Sequence, residues 1–212
     1  IIGTGKDKRR QSYLLGSLGN IYLHKKDLDK AWDNYNQSLG LMAELGDTLG
    51  EARGYSNLGN VRLLQENYDD ARVQFENSLE LMEQLENRPG MAQQCESLGD
   101  IHLKQERLYE AETYFSRVSA LCEAMQDPKG LQQAQDKLVY LMGQPKYISR
   151  RQEELLSELK KPELEKDDES RLAVLNELGN LYFMAGDMDQ AASRMRETAG
   201  LQEKLKDEAG LG

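Results

Sequence analysis

Leu18-Gly19-Asn20, Leu58-Gly59-Asn60 and Leu178-Gly179-Asn180 repeat one tripeptide, with a near copy at Leu98-Gly99-Asp100. The starts fall on an interval of 40 residues, and Leu138-Val139-Tyr140 stands in phase where the tripeptide is blurred. A constant interval means one supersecondary unit stacked on itself, each copy burying apolar surface against its neighbours. Small residues keep the same phase at Ala31, Ala71, Ala111 and Ala191, and large ones at Tyr35, Phe75, Phe115, Leu155 and Met195.

Helix-starting residues recur as well. One set is Asp47, Asn87, Asp127, Asp167 and Asp207; a second, inside each unit, is Asp27, Asn67 and Asp187. Asp127-Pro128 sets an N-cap carboxylate before a proline at the first helical position. Two starts per interval predict two helices per unit. In the first unit the spacing predicts one helix from about Asp7 to His24 and another from about Leu28 to Leu45. Gly19 and Ala31 fall where the two antiparallel helices cross, so that the backbones can approach. A glycine inside a helix costs about 1 kcal/mol relative to alanine, and its recurrence points to a packing requirement. Alternating apolar segments are absent, which argues against β-structure.

The units run over residues 7–46, 47–86, 87–126, 127–166 and 167–206, in one array spanning 1–212. The fourth is degenerate: Val139 replaces the glycine, Arg151 the alanine, and Gly143 to Pro145 and Pro162 break its helices. A wider helix separation and a local change of curvature are expected there; a domain boundary at Lys160 to Asp168 is the alternative. Both ends stop mid-pattern. Ile1 to Lys6 correspond in phase to the tail of a preceding helix, and Asp207 to Gly212 to the start of a following one. Without polar capping helices, the expectation is a fragment of a longer protein whose ends can self-associate end to end.

The 212 residues are 39% hydrophobic and 30% charged, with a net charge of −10. The acidity argues against direct nucleic-acid binding, which calls for a basic face, and leaves a basic peptide open as ligand. No apolar run is long enough for a membrane span. Cys95 and Cys122 lie in helical phase with apolar neighbours, as expected of packed, reduced thiols in a cytoplasmic or nuclear protein.

Enzymatic readings find no constellation to rest on. His24 and His102 stand at different phases, against a shared metal site. Cys95 and His102 can share a helix face, but no third group is in sight to orient a base, so packing is the expected role. The glycines are isolated and helical, unlike a phosphate-binding loop. Neither catalysis, a metal nor a cofactor is expected.

Counting Ser12 as the first position, glycine falls at position eight, alanine at twenty and an aromatic at twenty-four. With Leu18 and Tyr22 flanking the glycine, the pattern resembles the tetratricopeptide repeat (TPR), usually about 34 residues long and here lengthened. The stretch from Gly46-Asp47 to Leu58-Gly59-Asn60 is similar to the repeats of Pins/LGN-type scaffolds, and Ala120 to Leu159 more weakly to Tonsoku-like proteins. The resemblance implies an all-α, right-handed superhelical solenoid of antiparallel helix pairs whose first helices line a concave, peptide-binding groove. Carried over by phase, it implies groove positions at Tyr13, Asn20 and His24; Arg53, Ser56 and Asn60; Gln93, Glu96 and Asp100; Asp136 and Tyr140; and Asn176 and Asn180.

The asparagines either form a ladder holding a peptide backbone or bond within their own helix pair. Glu96, Asp100 and Asp136 suggest a central acidic patch. Gly16, Gln93 and Ser97 stand where a chaperone-type carboxylate clamp would carry basic side chains, so that subtype is not expected. Trp32, with no aromatic counterpart in phase, either packs against a preceding unit or marks a second contact surface. The function implied is a non-catalytic interaction scaffold with a protein or peptide in its groove. A regulatory sensor module and a chromatin- or histone-binding repair scaffold are the alternatives.

Overall fold

A computed structural model describes residues 2–164 and 167–210, with side chains from 5 to 206 in that range. Among the described residues the regular structure is helical: α1 (Ile2–His24), α2 (Leu28–Glu44), α3 (Thr48–Leu64), α4 (Tyr68–Gln84), α5 (Arg88–Lys104), α6 (Leu108–Ala124), α7 (Pro128–Met142), α8 (Pro145–Glu158), α9 (Asp168–Met184) and α10 (Met188–Gly210). Odd-numbered helices are the first members of their units and even-numbered helices the second. α1 begins before Asp7 and runs unbroken, so Ile2 to Lys6 extend the first helix instead of closing a preceding one. No cap or left-handed residue interrupts the backbone there, and continuing the helix keeps its hydrogen bonds paired. α10 likewise continues to Gly210; the side chain of Asp207, expected to cap a new helix, lies outside the described residues.

The chain falls into two compact units, Ile1–Leu138 and Val139–Gly212. The division comes at Val139, the position that carries glycine in the regular repeats. In the first unit α1–α2, α3–α4 and α5–α6 pack as pairs, joined through α2–α3 and α4–α5. In the second, α9 packs on α10 and α8 on α9.

Every regular turn is built alike. Lys26, Gly46, Glu66, Glu86, Glu106, Gln126 and Gly186 have positive φ. At the first, Lys26 N donates to Leu23 O at 2.9 Å and Asp27 N to Tyr22 O at 2.9 Å, the paired bonds of a Schellman stop. The next residue then caps the following helix: the side chains of Asp27, Asp47, Asn67, Asn87, Asp127 and Asp187 accept from the backbone N–H three residues on, while Arg107 holds the cap position without such a bond. Asp167 caps α9 in the same way. One residue that ends one helix is thus followed by one that begins the next.

The recurring glycine makes room for a ring. A methyl group on Gly19 would come within 2.5 Å of Tyr35, on Gly59 within 2.8 Å of Phe75, and on Gly99 within 2.5 Å of Phe115. All three rings are almost fully buried, each burial stabilising by about 1.5–3 kcal/mol. In the last unit Met195 stands in the ring's phase, and a methyl on Gly179 would meet nothing nearer than 3.6 Å. A second glycine row, Gly50, Gly90 and Gly130, receives Met42, Met82 and Cys122 from the helix before it. The first row sets spacing within pairs, the second between them.

Hydroxyls add bonds between helices. Ser38 Oγ donates to Ser12 O at 2.8 Å and Ser78 Oγ to Ala52 O at 2.7 Å; Val118 replaces this serine in the third unit. Trp32 packs forward onto the next repeat: the Arg62 guanidinium lies 3.7 Å from its ring centroid, a cation–π contact. His102 is buried and stacks on Tyr114 with centroids 5.4 Å apart. In the second unit Ile148, Leu155, Val174, Leu178 and Leu181 form the core. Arg151, in the alanine's phase, forks onto Glu177 at 2.6 and 3.0 Å.

Restoring the missing methyl tests the ring-in-glycine fit. Gly99→Ala is expected to lose about 1–3 kcal/mol to overpacking, against a gain of about 1 kcal/mol in helix propensity. Gly179→Ala has room and keeps only the gain, so thermal melts of the two variants should shift in opposite directions.

Burial pushes the pKa of His102 below its ordinary 6.5. As pH falls through 6.5 the unfolded chain binds the proton first, so stability is complete above that value and declines toward the lower folded pKa. The urea midpoint should therefore fall between about pH 7.5 and about pH 5.5, and fall less in His102→Gln.

Candidate functional site

Three clefts open in the first unit at successive junctions between odd-numbered helices. The first, about 270 Å³, lies between α1 and α3 over α2 and is lined by Tyr13, Gly16, Ser17, Asn20, Arg53 and Asn57 among others. The central one, about 400 Å³, lies between α3 and α5 with Met82 of α4 in its wall; Arg53, Ser56, Asn57, Gln93 and Gln94 supply most of its polar lining. The third, about 220 Å³, lies between α5 and α7 and includes Gln93, Glu96, Phe115, Gln133 and Lys137. Arg53 lines both the first and the central cleft, and Gln93 both the central and the third. The clefts therefore adjoin, and Tyr13, Arg53, Gln93 and Gln133, one per repeat, run along them as a row.

The expected positions divide against this frame. Tyr13, Asn20, Arg53, Ser56, Gln93 and Glu96 line the clefts. His24 and Asn60 lie outside all three linings, about three helical turns past the row on α1 and about two on α3. Asp136 is exposed and accepts from Gln132 Nε2 at 2.8 Å. Tyr140, Asn176 and Asn180 are exposed residues of the second unit.

Two of the expected groove features have partners inside the protein. Asn20 Oδ1 accepts a hydrogen bond from Tyr35 Oη at 2.6 Å, so the first rung of the asparagine ladder is tied within its own helix pair. Phe75 and Phe115 carry no hydroxyl and cannot repeat that bond. The central acidic patch is occupied from inside the protein: Lys137 Nζ lies 2.9 Å from Glu96 and 2.8 Å from Asp100, and 5.2 Å from the Phe115 ring centroid. Burial opposes the lysine's charge, but its bonds to Asp100 and Glu96 outweigh that and hold its pKa above the usual lysine value.

The other lining carboxylates are committed too. Asp47 and Asp127 cap their helices at Gly50 N, 2.9 Å, and Gly130 N, 3.1 Å. Arg53, by contrast, is exposed and has no hydrogen bond or ion pair among the described residues. The groove's uncommitted charge is thus positive, in a chain of net charge −10.

Among the lining residues that the sequence reading did not single out are Asn57, Lys137 and Gln94. Asn57 and Lys137 lie one turn beyond Arg53 and Gln133, in a row that begins at Ser17; that helical offset was the available signal. Gln94 is the polar exception in a row otherwise made of Leu14, Gly54, Ala134 and Val174. It is 1% exposed, and its Oε1 has no hydrogen-bond partner.

The possible catalytic pair is buried. Burial pushes the Cys95 thiol up to about 11, the reverse of what an activated nucleophile needs, and His102 is engaged by Tyr114. Among the described residues no cluster of metal-ligating side chains forms, and no helix is long and apolar enough to cross a membrane.

Residues 10–89 match the sequence model of the tetratricopeptide repeat. No curated protein matches the sequence. Among solved structures, BtubC (BKLC) from P. vanneervenii is similar, at 17% identity over 95% of this chain and 88% of that one, TM-score 0.58. Aspartyl phosphate phosphatase F from Bacillus subtilis gives 15% identity over 92% and 60% of the two chains, TM-score 0.61. The Rap conjugation gene regulator of the plasmid pLS20, in complex with the Phr peptide, gives 12% over 98% and 57%, TM-score 0.58. At such identities the likeness speaks for the fold. The chain is an all-α helical-repeat protein, with the sequence pattern of the tetratricopeptide repeat over residues 10–89 and a fold similar to that of these solved proteins.

Proposed function

We propose that this chain is a non-catalytic protein-interaction scaffold that binds a partner peptide along the odd-numbered helices of its first unit. The observation that carries this reading is the adjoining row of clefts, joined by Arg53 and Gln93. Their linings combine apolar walls with side chains that have hydrogen-bonding capacity to spare, the mixture a peptide main chain and its side chains require. The buried, unlinked thiols of Cys95 and Cys122 fit a reducing compartment, cytoplasm or nucleus.

A regulatory sensor module is a second reading, favoured by the likeness to a regulator solved with a bound peptide. It shares the groove and differs in what the groove controls. A basic histone tail fits less well, because Glu96 and Asp100 are already held by Lys137. End-to-end association would use the apolar face of α1, where Leu14, Leu18 and Ile21 are exposed.

The reading is tested by affinity capture from a lysate. The pair Arg53→Glu and Gln93→Lys changes exposed groove side chains without touching the core, and should abolish capture of partners held by the wild type. Asp33→Lys, on the exposed side of α2, should capture them unchanged. Identical partners on the wild type and the groove double variant, both folded by circular dichroism, would overturn the proposal.

A further inference from the structure

Two helix faces carry apolar side chains that the other repeats bury. On α1, Leu18 is 42% exposed, whereas its counterparts in phase, Leu58, Leu98 and Leu178, are at most 2% exposed. On α10, Met195 is 48% exposed, whereas Tyr35, Phe75, Phe115 and Leu155 are at most 1% exposed. The face of α1 is the one that α3 and α5 turn toward the second helix of the unit before, α2 and α4. α10 is itself the second helix of a unit. Each exposed face is thus of the kind that covers the other inside the array.

The residues that set the approach differ at both ends, in opposite senses. Between regular units a large side chain of the second helix enters the space over a glycine: Leu39 faces Gly54, and Met42 faces Gly50. On α1 the glycine phases hold Leu14 and Arg10, so a helix bearing leucine and methionine would be overpacked there. On α10 the phases of Leu39 and Met42 hold Ala199 and Gln202. The large residue has moved from the second helix to the first, and Leu14 over Ala199 restores a filled contact. Charge agrees with size. In a regular junction Gln105, at the end of α5, donates to Asp69 in the first turn of α4 at 3.2 Å. Lys25 stands in the phase of Gln105, and Asp189, in the first turn of α10, stands in that of Asp69. The corresponding junction of α1 with α10 sets a cation against an anion.

We propose that the α1 face docks the α10 face of a second copy of this chain, head to tail; this rests on the end-to-end reading of α1 and not on the groove. The contact is heterologous, since the two copies contribute different surfaces, and each copy keeps one of each for a further partner. One helix against one is a small interface of the weak, transient kind, so association depends on concentration.

Sedimentation of the chain from about 10 μM to about 1 mM should show a weight-average mass that climbs above the monomer. Leu18→Glu, at an exposed position, should hold it at the monomer. Lys25→Glu and Asp189→Lys each set like charges at the junction and should weaken association by about threefold to tenfold. An equal mixture of these two variants should recover the wild-type association, because both junctions it can form pair opposite charges. Ala199→Leu, opposite Leu14, should weaken association by overpacking. A monomer at the highest concentration would overturn end-to-end association altogether. Association that Leu18→Glu abolishes but Asp189→Lys and Ala199→Leu leave unchanged would overturn α10 as the occupant and assign the α1 face to a second α1. A mixture no stronger than its separate variants would overturn the pairing of Lys25 with Asp189.

Discussion

The spacing of each regular helix pair depends on one absent methyl group. Gly19, Gly59 and Gly99 let the rings of Tyr35, Phe75 and Phe115 press on the backbone of the partner helix, and the ring is then buried almost completely. Interiors pack at the density of organic crystals, so such a contact cannot be loosened gradually. A second glycine row applies the same rule between pairs, through Met42, Met82 and Cys122. The positions of the odd-numbered helices, and with them the clefts, follow from these two contacts.

Much of this was legible because repetition multiplies a weak signal. A single helical glycine says little, whereas one returning at a fixed phase opposite an aromatic says that two backbones approach. The caps at Asp27, Asp47, Asn67 and their counterparts were readable for a similar reason, since a short polar side chain before a helical stretch accepts the first free N–H. Trp32 and Lys137 were not, because each reaches into another repeat. The partner of Trp32 is Arg62 of the next unit, and Lys137 crosses from α7 to two carboxylates on α5. Contacts that break the periodicity cannot be found by assuming it. The second glycine row was periodic and visible, yet its meaning depends on which side chain of the preceding helix points at it.

The groove inverts the impression left by the bulk charge. Acidic residues dominate the composition, but those lining the clefts are spent on capping helices or on Lys137. Structural demands consume one sign of charge and leave the other exposed. Net charge governs solubility and long-range encounter; the character of a binding surface depends on which groups are still unpaired after folding.

The turns carry a consequence for how such a chain can be divided. Lys26, Gly46, Glu66, Glu86, Glu106 and Gln126 recur every 20 residues, so the bends within a repeat and between repeats use the same local device. Each helix is stopped by its own last turn and started by the residue that follows, without reference to the face it packs on. The array is therefore punctuated by single helices although it is packed by pairs. Severing or joining the chain at any of these bends preserves a properly finished helix end, and the only loss is the apolar face laid bare. Recombination can lengthen such an array by half a repeat without inventing a new junction.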